Sequence, residues 1–278
     1  MGIMLGLAAA LLYGGGDFAG GLLSRRHGAL AVSLVGDVFS TAVVWLAILI
    51  CWTPVPAWPA LAWGLGSGVG GGAGTLWLYR GLVRGRISVV GPLSAVGAAI
   101  VPILLSVASG GPLPGWLPAA GIVLGVPAIA LVASSQDGET AKTSGVADGL
   151  LAGAAFGGMF FGLSRVSGHA GLWPIAGEQT GSLVLFAIAA LVTRQPLART
   201  FRHSGGAALV GLSGMAATLL YYVATRSGGG LAGVVVVTSL YPGVTVILAR
   251  LITDERFSRA QRAGLALSAL TIVAVALH

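Results

Sequence analysis

The chain has 278 residues, 56% of them hydrophobic and only 8% charged, whereas a soluble domain carries roughly a quarter charged residues. A chain this apolar cannot cover its own surface with polar groups, so water is excluded as its solvent and lipid is the medium in which its outer face is stable. The net charge of +7 does not indicate nucleic acid, because the fifteen Lys and Arg sit in short gaps between apolar runs rather than on one face interleaved with aromatics.

A helix needs about 20 apolar residues to cross roughly 30 Å of hydrocarbon. The first predicted span covers 2–22. It has no basic n-region and its apolar pattern resumes along the whole chain, so it reads as a span and not as a signal peptide. Asp17 lies one helical turn from Tyr13 and shares its face. The second span, 30–51, carries Asp37 and ends on Cys51, the single cysteine, which reads as a small buried apolar residue and excludes an intrachain disulfide or redox pair. Prolines and tryptophans between Trp52 and Pro59 form the next turn. Thr75, Trp77 and Tyr79 lie on the third span (60–79), and Ser94 lies on the fourth (88–109). Gly110–Gly115 precedes the fifth span, 116–134. Pro92, Pro102, Pro127 and Pro242 fall inside spans, where each removes a helical hydrogen bond and permits a kink.

Only Ser134–Ser144, with Asp137, Glu139 and Lys142, reads as a polar linker. Five further spans follow at 147–164, 171–193, 205–225, 231–250 and 261–277. The sixth carries Gly149, Gly153 and Gly157 at four-residue spacing, a close-packing face, with a second such face at Gly158 and Gly162. Glu178 lies in the seventh, Thr218 and Tyr222 in the eighth, and Thr238 and Tyr241 in the ninth.

The central linker suggests a duplication. A shift of 143 residues brings Gly6, Leu7, Ala9, Gly14, Gly15 and Phe18 onto Gly149, Leu150, Ala152, Gly157, Gly158 and Phe161. The same shift aligns Ala73, Thr75, Leu76, Tyr79 and Gly85 with Ala216, Thr218, Leu219, Tyr222 and Gly228, and Gly121 and Leu124 with Gly264 and Leu267. Glycine- and leucine-rich sequence produces chance matches, but one offset serving three separated regions argues for a repeat. The expected fold is an all-α membrane protein of ten transmembrane helices, with a first five-span repeat over 1–134, a linker over 135–146 and a second repeat over 147–278. Five spans per unit is odd, so the second copy enters the membrane from the opposite side. Inverted repeats of this kind are the architecture of many secondary transporters, with a site near the midplane between the halves. All of the fifteen Lys and Arg except Arg165 and Arg226 follow odd-numbered spans, which predicts both termini outside the cytoplasm.

Several local patterns form an ordered set along the whole chain. Tyr13-Gly14 and Phe156-Gly157 are aromatic–Gly pairs in the first and sixth spans. Leu78-Tyr-Arg-Gly-Leu82 precedes Val89-Val-Gly-Pro-Leu-Ser94, and Ser239-Leu-Tyr-Pro242 precedes Asp254-Glu255-Arg256 and Gln261-Arg-Ala-Gly264. Together they resemble the EamA-type transporters of the drug/metabolite transporter superfamily. The sequence departs from that pattern at Gly111-Pro112, where the family's acidic pair would fall, and family members are often drawn with cytoplasmic termini. The resemblance implies ten spans around a central cavity, alternating access, and export of metabolites, amino acids or drugs across a bacterial inner membrane.

Candidate site residues follow from cost. An ionisable group at mid-membrane costs about 2.5–3.5 kcal/mol or more unless paired or hydrated. Asp17 either binds a cationic group or a proton, or reaches the interface near Arg25 and Arg26. Asp37 and Glu178 occupy equivalent helices, two residues apart after the shift, and are the proton-coupling candidates; the alternative for them is a near-interface pair with a neighbour such as Arg86. They are expected on opposite sides of the membrane, with Glu178 poorest in basic neighbours. Thr75 and Tyr79, like Thr218 and Tyr222, are i, i+4 pairs on one helix face. The substrate-binding set is Tyr13, Asp17, Thr75, Trp77, Ser94, Thr218, Tyr222, Thr238 and Tyr241; Tyr79, beside Arg80, is instead expected in the interfacial belt.

No Walker-type phosphate loop is present, His27, His169, His203 and His278 have no metal-ligand spacing, and no nucleophile–base–acid set can be assembled. No enzyme activity, cofactor or metal is therefore expected. The partners expected are a small-molecule substrate, the lipid bilayer and protons, not nucleic acid, and the chain is expected as a monomer or homodimer. The alternatives to a secondary transporter are a lipid or lipid-linked-sugar translocator and a non-transporting structural membrane subunit.

Overall fold

A computed structural model of the chain describes residues 1–133, 144–166, 170–194, 204–226, 238, 241–253 and 258–276. Among them the secondary structure is entirely helical: α1 (Gly2–His27), α2 (Ala29–Cys51), α3 (Trp58–Arg84), α4 (Ile87–Ala108), α5 (Trp116–Ala133), α6 (Ser144–Ser164), α7 (Trp173–Thr193), α8 (Ser204–Arg226), α9 (Tyr241–Ile252) and α10 (Arg259–Ala276). Five of these, α1, α2, α4, α6 and α7, are long and apolar enough to cross a membrane. The outward surface is strongly apolar, with Ile50 74%, Leu191 78% and Leu251 72% exposed. Side chains of this kind, covering face after face, belong in a hydrocarbon solvent and not in water.

The helix ends follow local chemistry. Pro59 and Pro174 sit in the first turns of α3 and α7, where a missing N–H costs nothing. Helix α1 stops at Gly28, whose φ of 84° is the left-handed region that glycine enters without strain. Trp52 and Arg194 close α2 and α7 in the left-handed helical region, with φ of 47° and 50°. Arg25, Arg26 and His27 end α1, Arg84 ends α3 and Arg250 lies in the last turn of α9, where cations complement the helix dipole. The predicted turn before Pro59 is shorter than expected because Trp58 and Pro59 already belong to α3. Helix α6 begins at Ser144, inside the predicted linker; residues 134–143 lie outside the described residues. The predicted ninth span is described over Thr238 and from Tyr241 onward.

Contacts fix the helix directions. Helices α2 and α7 cross antiparallel: Leu34 packs with Phe186 near one end and Ile48 with Ile175 near the other, and between them the Thr41 hydroxyl donates to the Gln179 carbonyl at 3.2 Å. Helix α3 runs antiparallel to α6, with Gly70 against Met159 and Gly85 against Gly145, and parallel to α7, with Gly64 against Gly177 and Gly68 against Gly181. On the other flank, α1 runs antiparallel to α8, with Gly16 against Ser213 and Leu23 against Gly206. It runs parallel to α9, where Thr245 donates to the Gly14 carbonyl at 3.1 Å. Helix α2 meets α8 at Gly36 and Gly211, and α4 lies parallel to α6. Helix α5 is antiparallel to α10, pairing Gly125 with Thr271 and Val132 with Gly264.

Odd-numbered helices therefore run one way and even-numbered helices the other. The C-terminal ends of α1, α3, α7 and α9 share one face with the start of α10, which gathers Arg25, Arg26, Arg84, Arg194, Arg250 and Arg259 there. Arg165, at the end of α6, lies on the opposite face, where it donates to Ser109 Oγ at 2.7 Å and stacks over the Phe161 ring at 4.8 Å.

The glycine face predicted on α6 is present: Gly149, Gly153 and Gly157 meet Val90, Gly97 and Val101 of α4. Gly162 abuts Ser67, but Gly158 has nothing against it. Cys51 departs from expectation. It is exposed at the end of α2 and not buried, because in that last turn Ile48 is the side turned to α7 and Cys51 faces outward.

Candidate functional site

The site grows from the crossing of α2 and α7. Their antiparallel contact is sealed at one end by an indole pair, Trp45 and Trp173, with ring centroids 5.5 Å apart. Trp45 Nε1–H also donates to Thr180 Oγ1 at 3.0 Å. The two helices stay in contact through the middle, and beside that contact glycines on the neighbouring helices, Gly71 of α3 and Gly211 and Gly214 of α8, leave space. The result is a cavity of about 930 Å³, counted to its open side, walled by α1, α2, α3, α6, α7, α8 and Tyr241 at the head of α9. Helices α4, α5 and α10 supply none of the described wall.

Three carboxylates face this space: Asp17 from α1, Asp37 from α2 and Glu178 from α7. Asp37 is held by hydroxyls. Ser182 Oγ lies 2.6 Å from Asp37 Oδ2 and 3.0 Å from the Gln179 carbonyl oxygen. One hydroxyl proton cannot fully satisfy both acceptors. Either Ser182 donates to an ionised Asp37, or a protonated Asp37 donates to Ser182, whose own proton goes to Gln179. The geometry accommodates both protonation states.

Glu178 is different. It is 8% exposed, and its side chain has no hydrogen-bond or ion-pair partner among the described residues. A Cβ at Gly71 would lie 2.7 Å from Glu178 Oε1 and 2.9 Å from Met159 Sδ, so the absence of a side chain at Gly71 makes the room that Glu178 occupies. Ser33, one turn before Asp37 on α2, also lines the cavity, and its buried hydroxyl has no partner among the described residues.

Aromatic side chains supply much of the remaining wall. The rings of Tyr13 and Tyr241 are tilted against each other, 5.9 Å between centroids. The Tyr13 hydroxyl lies 2.7 Å from Thr218 Oγ1, which itself donates to the Gly214 carbonyl at 3.1 Å. Tyr13 is therefore the donor of the pair. Tyr79, Phe156, Phe160 and Phe186 complete the aromatic surface, and Thr75 also lines it.

Of the predicted substrate-binding residues, Tyr13, Asp17, Thr75, Thr218 and Tyr241 meet at the cavity, as do both coupling candidates. Three others lie elsewhere. Ser94 is 1% exposed on the α4 face that packs against Gly153. Trp77 packs against the core around Phe18 and Leu82. Thr238 donates to the Gly6 carbonyl at 3.3 Å. The side chain of Tyr222 lies outside the described residues, as do Asp254, Glu255 and Arg256.

Two expectations need correction. Tyr79 is 5% exposed and lines the cavity instead of standing in an interfacial belt. Arg80, one residue on and turned about 100° around the helix, takes the outer position. Asp37 and Glu178 enter from opposite ends of the bundle but face one cavity, because the α2–α7 crossing brings both inward. Asp17 and Asp37 turn toward that cavity and away from the arginines. Arg25 donates to the Leu82 carbonyl at 3.1 Å.

Sequence reasoning misses Asp148, although a carboxylate in an apolar span is itself the signal. Asp148, near the start of α6, is 2% exposed and pairs with Arg80 of α3: Nε and one terminal nitrogen reach Oδ1 at 2.8 and 2.5 Å, while Oδ2 is buried without a partner. It also misses Ser33, Gln179 and Ser182. Ser33 and Ser182 stand one turn from Asp37 and Glu178 respectively, a spacing that was available to find them.

No protein-family model matches the chain, and no curated protein matches it. A solved structure described only as a protein crystal structure is similar over 99% of this chain and 94% of its own length, at 16% identity and a TM-score of 0.60. That likeness shows a shared fold and nothing further.

Proposed function

We propose that the chain is a secondary active membrane transporter that exports small metabolites, amino acids or drugs by alternating access through this cavity. The observation that carries the reading is a central space between the halves of the chain, walled by both and lined by three carboxylates. A non-transporting structural subunit has no use for such a space, since burying unpaired carboxylates costs stability without return.

The ten helices are read as two inverted five-helix repeats, and contacts support it. Gly14 of α1 meets Val244 of α9, and Gly157 of α6 meets Val101 of α4. The shift of 143 residues exchanges those two pairs. It likewise exchanges Gly16 against Ser213 with Met159 against Gly70, and it carries Gly68, at the α3–α7 crossing, onto Gly211, at the α8–α2 crossing. The ordered motifs resembling EamA-type transporters are consistent with that reading, and the gathering of arginines on one face supports reading that face as cytoplasmic with both termini outside.

Proton coupling is assigned to Glu178 and Asp37. An intramembrane carboxylate can couple because its charged form is costly in low dielectric, so protonation and substrate binding compete for it. Reconstitution into liposomes with a metabolite panel, with and without a pH gradient, tests the reading. Protein-dependent flux of at least one solute, altered by the gradient, is expected. Flux indistinguishable from empty liposomes across the panel would overturn it.

A further inference from the structure

We infer that the cavity selects an organic cation with substantial apolar surface, of the quaternary ammonium or phosphonium kind, over neutral and anionic solutes of the same size. The inference rests on the transporter reading for its purpose, but its evidence is the chemistry of the wall.

Three carboxylates line the space, and no Lys, Arg or His stands among the described lining residues. Two buried polar groups aimed into it have no partner among those residues: the Glu178 carboxylate and the Ser33 hydroxyl. Other buried polar atoms without a partner, such as Ser94 Oγ and Asp148 Oδ2, lie away from the cavity; these two line it and can accept from a donor or meet a positive charge. An anion entering here would meet three carboxylates and no compensating cation.

The carboxylates do not make a metal site. Among the described residues no three of His, Cys, Asp or Glu converge closely enough to hold a metal ion. They are spread around a wall whose other main component is aromatic: Tyr13, Tyr79, Phe156, Phe160 and Tyr241. Aromatic faces attract a cation through the ring quadrupole and also cover apolar surface. A metal ion or small ammonium holds its water tightly and gains little from such a wall. A bulky organic cation sheds water cheaply, spreads one charge over several carbons, and gains from rings and carboxylates together.

The test is equilibrium dialysis of radiolabelled benzyltrimethylammonium against purified protein in detergent, with benzyl alcohol, benzenesulfonate and Ca²⁺ as competitors. Saturable binding is expected, with the neutral, anionic and metal competitors failing to displace the probe at equal concentration. Glu178→Gln and Asp17→Asn, each checked for a monodisperse gel-filtration profile, should each weaken binding about tenfold or more. Glu178→Asp, which keeps the charge, should retain most of the affinity. Displacement by benzenesulfonate or Ca²⁺ at lower concentration than by unlabelled probe would overturn the inference. So would wild-type affinity in both neutralised variants. Flux of a neutral or anionic solute without saturable cation binding would sink the cation inference and leave the transporter standing. Saturable cation binding without flux in liposomes would do the reverse.

Discussion

Glu178 and Asp37 face the same cavity with different support. Asp37 keeps its Ser182 contact in either protonation state, and an asparagine can keep it too. Glu178 has no such partner, so its charge depends on what the cavity holds. Glu178→Gln is therefore expected to abolish the response of flux to an imposed pH gradient while the protein still folds. Asp37→Asn should reduce that response less, and Asp17→Asn should mainly weaken substrate binding. An unchanged pH response in Glu178→Gln liposomes would remove the coupling role from that residue. The Arg80–Asp148 pair carries a stability prediction. Asp148 is fully buried whereas Arg80 is 44% exposed, so Arg80→Ala strands a buried carboxylate at a cost of about 3 kcal/mol, the low end for breaking a buried pair. Asp148→Asn in the Arg80→Ala background should recover part of that loss in a thermal-unfolding series. Residue-level legibility followed helix geometry. Asp17 was readable from its spacing to Tyr13. Tyr79 was not, because a neighbouring arginine suggests an interface, and only the direction of α3 decides which of the two faces inward.

At the scale of elements, helix association inside a bilayer rests on close packing rather than on water exclusion, and small residues mark the crossings. A Cβ at Gly68 would fall on the Glu178 carbonyl oxygen, and one at Gly211 on the Gly36 carbonyl oxygen. Neither backbone can yield cheaply. Gly68→Ala and Gly211→Ala should each destabilise by about 1–3 kcal/mol, measured as a lower unfolding midpoint in mild detergent. Gly66, two residues from Gly68 on α3, has open space where its Cβ would go. Gly66→Ala should be neutral or stabilising by up to about 1 kcal/mol, since alanine is the better helix former. Equal losses at Gly66 and Gly68 would refute the crossing account. The helices themselves were legible because apolar runs, proline at first turns and glycine at reversals are local signals. The crossings were only half legible: the spacing of Gly149, Gly153 and Gly157 found a true packing face, while Gly158 matched the pattern and packs against nothing.

For the whole molecule, alternation of helix direction gathers the described arginines at one end, which the proposed orientation puts in the cytoplasm. A C-terminal reporter that is active only in the cytoplasm should be silent, and clear cytoplasmic signal would show that the charge bias had been misread. The proposed duplication rests in the sequence on a single offset. The cavity was not visible there, since it depends on how α2 and α7 cross and which helices pack beside them, a property of packing between segments about 140 residues apart in the chain.

The central claim is that one cavity opens in turn to each side of the membrane. The chain's single cysteine is Cys51, so Cys51→Ser provides a background without thiols, into which Thr75→Cys places one on the cavity wall. The measurement is labelling of that thiol by a membrane-impermeant maleimide added to one side or the other of sealed, oriented vesicles. Alternating access predicts modification from both sides with the bilayer intact, and protection from both sides by a bound solute. Labelling from one side alone under every condition would contradict it.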